Sequence, residues 1–456
     1  MASSLLFRSL PSRHYRFLPR FSQLAGVSIL SNMMVPLAGI CDTAFLGHLA
    51  DIHYLAGVVL GSILFDYLYR ILKFFRNGTN ALTAQAVGEN NHKEILLAGL
   101  RSGLVALAIA ALILILQYPL QKFGFAILSG SSNIEAFGIE YFNARIWGAP
   151  AVLLNFVLIG WFLGQEKNAL VLAISLVGNG SNVILDYLMI NRWGWSSMGA
   201  GLATALSQYL ALLIALIGVA VSIDWKVLPV ALKELFDWQA LKSTVMLKGN
   251  IMIRYLAMIT AYSIFTNLSA GMGDEVVAAN GLLLQIVLLS QFTVNGIGLT
   301  TQTLIGNFRG KGETEQMMPL LKISILTSLA LASIFALMPL LFPQTILGWL
   351  TNHANLSQSA ISYMVWLFPL LTCGACAFIL EGYVIGLKES SKLRNSALMA
   401  LGFGFIPVAG LAWYLQSSHL LWLSLTSYMA TLLISLAIKV PGIQSQQNLS
   451  LQTLNQ

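Results

Sequence analysis

The sequence predicts an all-α polytopic membrane protein, twelve transmembrane helices in two parallel, pseudo-symmetric six-helix lobes. Three observations point there. Of 456 residues, 57% are hydrophobic and only 9% are charged, against about 25% charged in an average soluble domain. The apolar runs are long and continuous, as spans of about 20 residues require, without the alternation in sets of about ten that marks a transmembrane barrel. Glycine-bearing motifs also recur at a near-constant spacing between the two halves of the chain.

The first twenty residues hold Arg8, Arg13, Arg16 and Arg20, several serines and no acid. They read as a short cytoplasmic tail, with an organellar targeting segment as the alternative. The first helix, 21–48, contains Pro36, which removes a backbone hydrogen bond and permits a kink. The second, 54–84, carries Asp66, Arg70, Lys73 and Arg76. Asp66 and Arg70 read as an i,i+4 pair. Lys73 and Arg76 read as cations reaching for the interface, and the deeper Arg70 as a candidate cavity residue. Helices three to six fall at 94–118, 134–163, 168–190 and 197–221, with short polar connections such as 89–93.

The longest connection, 223–242, holds Asp224, Lys226, Lys233, Glu234 and Asp237 and separates an N-lobe, 21–222, from a C-lobe, 243–440. The C-lobe helices fall at 243–270, 276–306, 317–341, 355–386, 393–415 and 419–439, followed by a tail, 441–456. Cys373 and Cys376 form a CxxC inside the tenth. In so apolar a setting they read as small packing residues, not as a redox pair.

The net charge of +7 reflects basic cytoplasmic loops, not nucleic-acid binding. The tail and the even-to-odd connections carry most of the lysines and arginines, which places both termini in the cytoplasm. A multi-pass protein of the cell's inner or plasma membrane is expected, with an organellar membrane as the alternative. The repeat fixes the lobes. Asn77-Gly78 recurs as Asn295-Gly296, an offset of 295 − 77 = 218, and Gly160-Trp161-Phe162-Leu163-Gly164 as Gly382-Tyr383-Val384-Ile385-Gly386, an offset of 382 − 160 = 222. Six helices lie between copies, so both lobes have the same membrane orientation, as in transporters built of parallel repeats.

No enzyme signature appears: no HExxH, GxSxG, phosphate loop or Cys/His cluster. No metal site and no cofactor are expected. The informative residues are ionisable groups inside apolar helices, which are costly there and mark function. Asp42 is the acid of the first helix. Asp186 is that of the fifth, with Asn182 one turn earlier on the same face. Thr204 of the sixth helix supplies a hydroxyl. An Asp–Asn–Thr group suits a proton or a small cation. Arg145, Arg254 and Glu381 are isolated in other helices, with Arg254 a candidate partner of Asp42 or Glu381.

These segments together resemble the multidrug and toxic compound extrusion family, of the DinF type. The resemblance is carried by Pro36-Leu37-Ala38-Gly39-Ile40-Cys41-Asp42-Thr43-Ala44-Phe45-Leu46-Gly47-His48, by 75–86, by Asn182–Asp186 with Gly199–Thr204, and by Glu381–Gly386 with Arg394-Asn395-Ser396. It implies a V-shaped pair of six-helix lobes and cation-coupled antiport of amphipathic or cationic drugs or metabolites. It assigns coupling by H⁺, or alternatively Na⁺, to Asp42, Asn182, Asp186 and Thr204, with Tyr141 and Asn155 lining the same cavity. A monomer in the lipid bilayer is expected. The chain departs from the family at Asn295 and Gln302, where acids are usual, and at Glu381, where Asp is usual. Acid chemistry is therefore reduced in the C-lobe and concentrated in the N-lobe. The competing expectation is a flippase for a lipid-linked precursor, with Arg70, Arg145 and Arg254 holding phosphate.

Overall fold

Backbone polar groups in hydrocarbon find partners only within helices or closed barrels, and this chain takes the helical solution. The computed structural model describes residues 15–47, 52–128, 132–350 and 354–454, and no strand occurs among them. The opening helix, α1 (Leu18–Gly47), has Pro36 inside it. Eleven further helices among the described residues are long and apolar enough to cross a membrane. They are α2 (His53–Gly88), α3 (His92–Ile115), α4 (Ile134–Gly164), α5 (Asn168–Arg192), α6 (Ser196–Ser222), α7 (Trp238–Gly271), α8 (Asp274–Lys311), α9 (Thr314–Leu341), α10 (Gln358–Gly386), α11 (Ser390–Tyr414) and α12 (Ser418–Gly442).

The apolar pattern therefore located every long helix. The differences lie at the ends. α1 begins at Leu18, inside the expected tail, and residues 1–14 lie outside the described residues. The expected C-terminal tail instead continues the last helix to Leu454, past Pro441. Short helices at Gln117–Ile127, Leu228–Lys233 and Pro343–Leu350 occupy stretches expected as connections or helix ends. Asp66 and Arg70 form no ion pair among the described residues. Asp66 is exposed, where such a pair contributes little.

The chain forms two compact units whose boundaries cut through helices. Unit one is Met1–Ile29, Gly88–Asn90 and Thr260–Gln456; unit two is Leu30–Val87 and Asn91–Ile259. They differ from lobes divided at the central connection, because the opening halves of α1 and α7 are exchanged. In unit one, a Cβ on Gly296 of α8 would stand 2.7 Å from the Ile29 nitrogen of α1. In unit two, a Cβ on Gly78 of α2 would stand 2.7 Å from Cγ of Lys248 on α7, and 3.3 Å from Leu247. The contacts are copies of each other: 296 − 78 = 218 and 247 − 29 = 218. Only glycine permits such an approach without displacing the neighbour.

Inside unit two, α4 packs against α2, α3 and α6, and α5 packs on α6. Inside unit one, α8, α9 and α12 pack around α10. The repeated glycines explain why α4 and α10 are central. A Cβ on Gly160 would lie 2.3 Å from the Arg76 carbonyl oxygen, and a Cβ on Gly382 2.3 Å from that of Gly298. The same close helix crossing is thus built twice.

Candidate functional site

The fifth helix gathers its polar residues on its packed face. Asn168, Val171, Ile174, Ser175, Gly178, Asn182 and Asp186 are its buried positions within Asn168–Asp186, at the three- and four-residue spacing of a single helix stripe. Asp186 has no exposed surface and Asn182 has 5%. The buried positions of α6 are mostly small: Gly201 and Ala205 lie against α4, while Gly199 lies against Met189 of α5 and Gly178 of α5 approaches the Ala211 side chain. Directly after Asp186 the helix widens into a π segment, Tyr187–Arg192. Such segments recur at functional sites because they loosen the hydrogen-bond ladder. The counterpart in α11 is the π segment Ala400–Phe405, preceded by Met399. The backbone device is repeated, and the acid is present in only one copy.

Two contacts set α1 against α5 within unit two. Ser31 hydrogen-bonds Ser175, and the rings of Phe45 and Tyr187 have centroids 6.3 Å apart. Both contacts advance along both chains, so the two helices run parallel. Asp42 follows Ser31 by 42 − 31 = 11 positions, and Asp186 follows Ser175 by 186 − 175 = 11. Eleven helical residues rise about 16 Å, so the two acidic positions stand at one level on neighbouring helices. The Asp42 side chain lies outside the described residues.

The other expected site residues are placed as follows. Thr204 is half-buried and its hydroxyl donates 2.9 Å to the Ala200 carbonyl of its own helix. Its proton is therefore held within α6, while its oxygen lone pairs remain able to accept. Asn155 donates to the Gln208 carbonyl at 2.9 Å and to its Oε1 at 3.2 Å, tying α4 to α6. Tyr141 is wedged between Gly61 of α2 and Gly201 of α6 and accepts a hydrogen bond from Arg145. The Arg145 guanidinium stacks on Phe65 at 4.7 Å, a cation–π contact. Tyr141 and Asn155 are thus buried where α4 packs against α6. Arg70 is half-buried. Arg254 is buried on the ring of Tyr255, 4.8 Å from its centroid. Glu381 is buried in α10 of unit one, as is Gln302 in α8, and Cys373 and Cys376 are half-buried free thiols.

Sequence reasoning missed two buried cations, Arg101 of α3 and a lysine of α7. Lys248 of α7 is 2% exposed, and its ammonium lies 5.2 Å from the centroid of the Phe75 ring. Arg76 donates to Asn32 at 3.0 Å and Asn77 to Tyr255 at 3.2 Å, so unit two holds a buried basic and amide cluster where α1, α2 and α7 meet. The signal was present: Lys248 is a lone lysine at the start of an otherwise apolar stretch. Unit one has a narrow uncharged cavity lined by Tyr262, Ser290, Gln291, Phe378 and Met429, with Gln291 donating to the Tyr262 hydroxyl at 2.6 Å.

Comparison with known proteins places this geometry among relatives. A family model described as MatE matches residues 28–188 and 251–409. DNA damage-inducible protein F of Escherichia coli is 31% identical over 420 residues, 91% of this chain and 90% of that protein. A probable multidrug resistance protein, NorM of Thermotoga maritima, is 24% identical over 344 residues, 74% of this chain and 73% of its own. Among solved structures, a MOP superfamily transporter from Pyrococcus furiosus superposes with a TM-score of 0.83 at 16% identity, covering 96% of this chain and 99% of that one.

Proposed function

This chain belongs to the MatE family, and from that premise we propose that it is a secondary active exporter of amphipathic small molecules, driven by cation antiport through unit two. The observation that carries the proposal is the shared level of Asp42 and Asp186 on the parallel helices α1 and α5, with Asp186 fully buried. A charged carboxylate in such a place is costly, and a proton or a sodium ion removes the cost. Protonation on one side of the membrane lets α1, which lacks one backbone hydrogen bond at Pro36, repack against α5. Binding that differs between two states shifts their populations; ion and substrate then compete through those states. Asn182 and Thr204 supply neutral oxygens to the same seam.

We assign H⁺ as the coupling ion, with Na⁺ as the alternative that the same carboxylate, amide and hydroxyl oxygens would also serve. The test is dye export from vesicles holding purified protein, with a proton gradient alone and then a sodium gradient alone. Export under the proton gradient that stops in Asp42→Asn and in Asp186→Asn, at unchanged protein level, is the expected result. Full export in both variants would overturn the mechanism, and export under sodium alone would transfer the coupling to Na⁺.

A second reading, translocation of a lipid-linked precursor, has support from the buried cations Lys248 and Arg254 and the half-buried Arg76 in unit two, which suit a phosphate. Scrambling of labelled lipid by the purified protein separates the two readings.

A further inference from the structure

The segment 223–242, which joins α6 to the first turns of α7, carries three acids and three lysines, and the two sets are held differently. Its acids are each engaged by the protein. Asp224 accepts from the Lys226 backbone nitrogen at 3.0 Å. Asp237 accepts from the nitrogens of Gln239 and Ala240, at 2.9 and 3.4 Å, and so caps α7. Glu234 pairs with Lys93 of α3 at 2.8 Å. The three lysines Lys226, Lys233 and Lys242 are exposed, and they make no ion pair among the described residues.

Apolar surface is interleaved with those lysines. Trp225 is 60% exposed, Phe236 72% and Trp238 73%, with Val230 and Leu232 also open. The segment is nevertheless held firmly. Ala231 of the short helix Leu228–Lys233 is fully buried against Leu96 and Leu97 of α3, and the buried Arg101 donates to the Glu234 carbonyl at 2.9 Å. The segment joins two membrane-crossing helices and so lies at a membrane face. Exposed tryptophans at that level are characteristic of the lipid interface, and clustered lysines beside them attract anionic headgroups.

We infer that the segment 223–242 is a docking surface for anionic phospholipid, with Trp225, Phe236 and Trp238 seated in the lipid interface and Lys226, Lys233 and Lys242 meeting the phosphates. The surface is fixed to α3 by Ala231, Glu234 and Arg101. The inference rests on the membrane-spanning fold and is independent of which ion or substrate is carried.

The test uses the full chain in vesicles made with brominated phosphatidylglycerol or brominated phosphatidylcholine at equal bromine content. Tryptophan quenching is compared between the unaltered protein and Trp225→Phe/Trp238→Phe, so that the difference reports those two rings. Greater quenching of that component by phosphatidylglycerol is expected. It should vanish in Lys226→Gln/Lys233→Gln/Lys242→Gln and in about 1 M salt, where screening acts within roughly 3 Å. A lysine near a charged membrane changes binding roughly fivefold, so three change preference on the order of a hundredfold. Equal quenching by the two lipids would leave an apolar anchor with no headgroup preference and overturn the inference. Absence of any component from Trp225 and Trp238 would overturn it as well. The salt arm reads the unaltered protein, so it decides the matter even if the triple variant fails to fold.

Discussion

At the scale of single residues, Asp186 and Asn182 occupy the buried face of α5, and a buried carboxylate there answers to its surroundings more than to its sequence neighbours. Asp186→Asn keeps the shape and removes the charge. The expected outcome is at least a tenfold loss of proton-driven export with an unchanged melting temperature, read by transport and by a thermal-shift assay. Asn155 makes a contrasting prediction. Its amide joins α4 to α6 through Gln208, so Asn155→Leu should lower stability by about 1–2 kcal/mol, the cost of an unmade buried hydrogen bond, while leaving the ion dependence of transport intact. The acids could be found in the sequence because a carboxylate among leucines is conspicuous. Lys248 is as conspicuous in principle, but it lies close to a basic connection and reads as its continuation. The donor choice of Thr204 was beyond the sequence altogether, since a threonine in a helix can bond its own backbone or a neighbour and only coordinates decide between them.

At the scale of elements, long apolar runs fix helices because hydrocarbon leaves the backbone no other partners. The helix order was therefore open to reading, and the glycine repeats foretold close crossings. Gly160→Val should destabilise unit two and Gly382→Val unit one, each by about 1–3 kcal/mol, since each new side chain would meet a backbone carbonyl already 2.3 Å from an ideal Cβ. Melting of the detergent-solubilised protein would measure both. The linker offers a matched comparison. The exposed Lys93–Glu234 pair contributes little to stability, because water and salt screen it, whereas Arg101 is buried and holds the Glu234 carbonyl. Arg101→Ala should speed limited proteolysis within 223–237 several-fold, and Glu234→Gln should alter it little. The π segments after Asp186 and Met399 had no sequence signature, because a single widened turn changes neither hydrophobicity nor its period.

At the scale of the whole molecule, composition and the repeat established a twofold design, but the boundary between the units lay elsewhere than the connection suggested. A hydrophobic period tells which face of a helix is covered and says nothing of what covers it, so the exchange of the opening halves of α1 and α7 was hidden. Fragments 1–235 and 236–456, made separately, should each fail to give a monodisperse species, and made together should restore the protein; size-exclusion chromatography of tagged fragments would show it. The contact between Ile29 and Gly296 also sets a timetable for biosynthesis. The first helix enters the membrane early, yet its opening half waits for a partner made 296 − 29 = 267 residues later. Unit two, complete once Ile259 is in place, can close while the rest of the chain is still being translated. Unit one can close only near the end, which makes the nascent first helix the part most dependent on the insertion machinery for shelter.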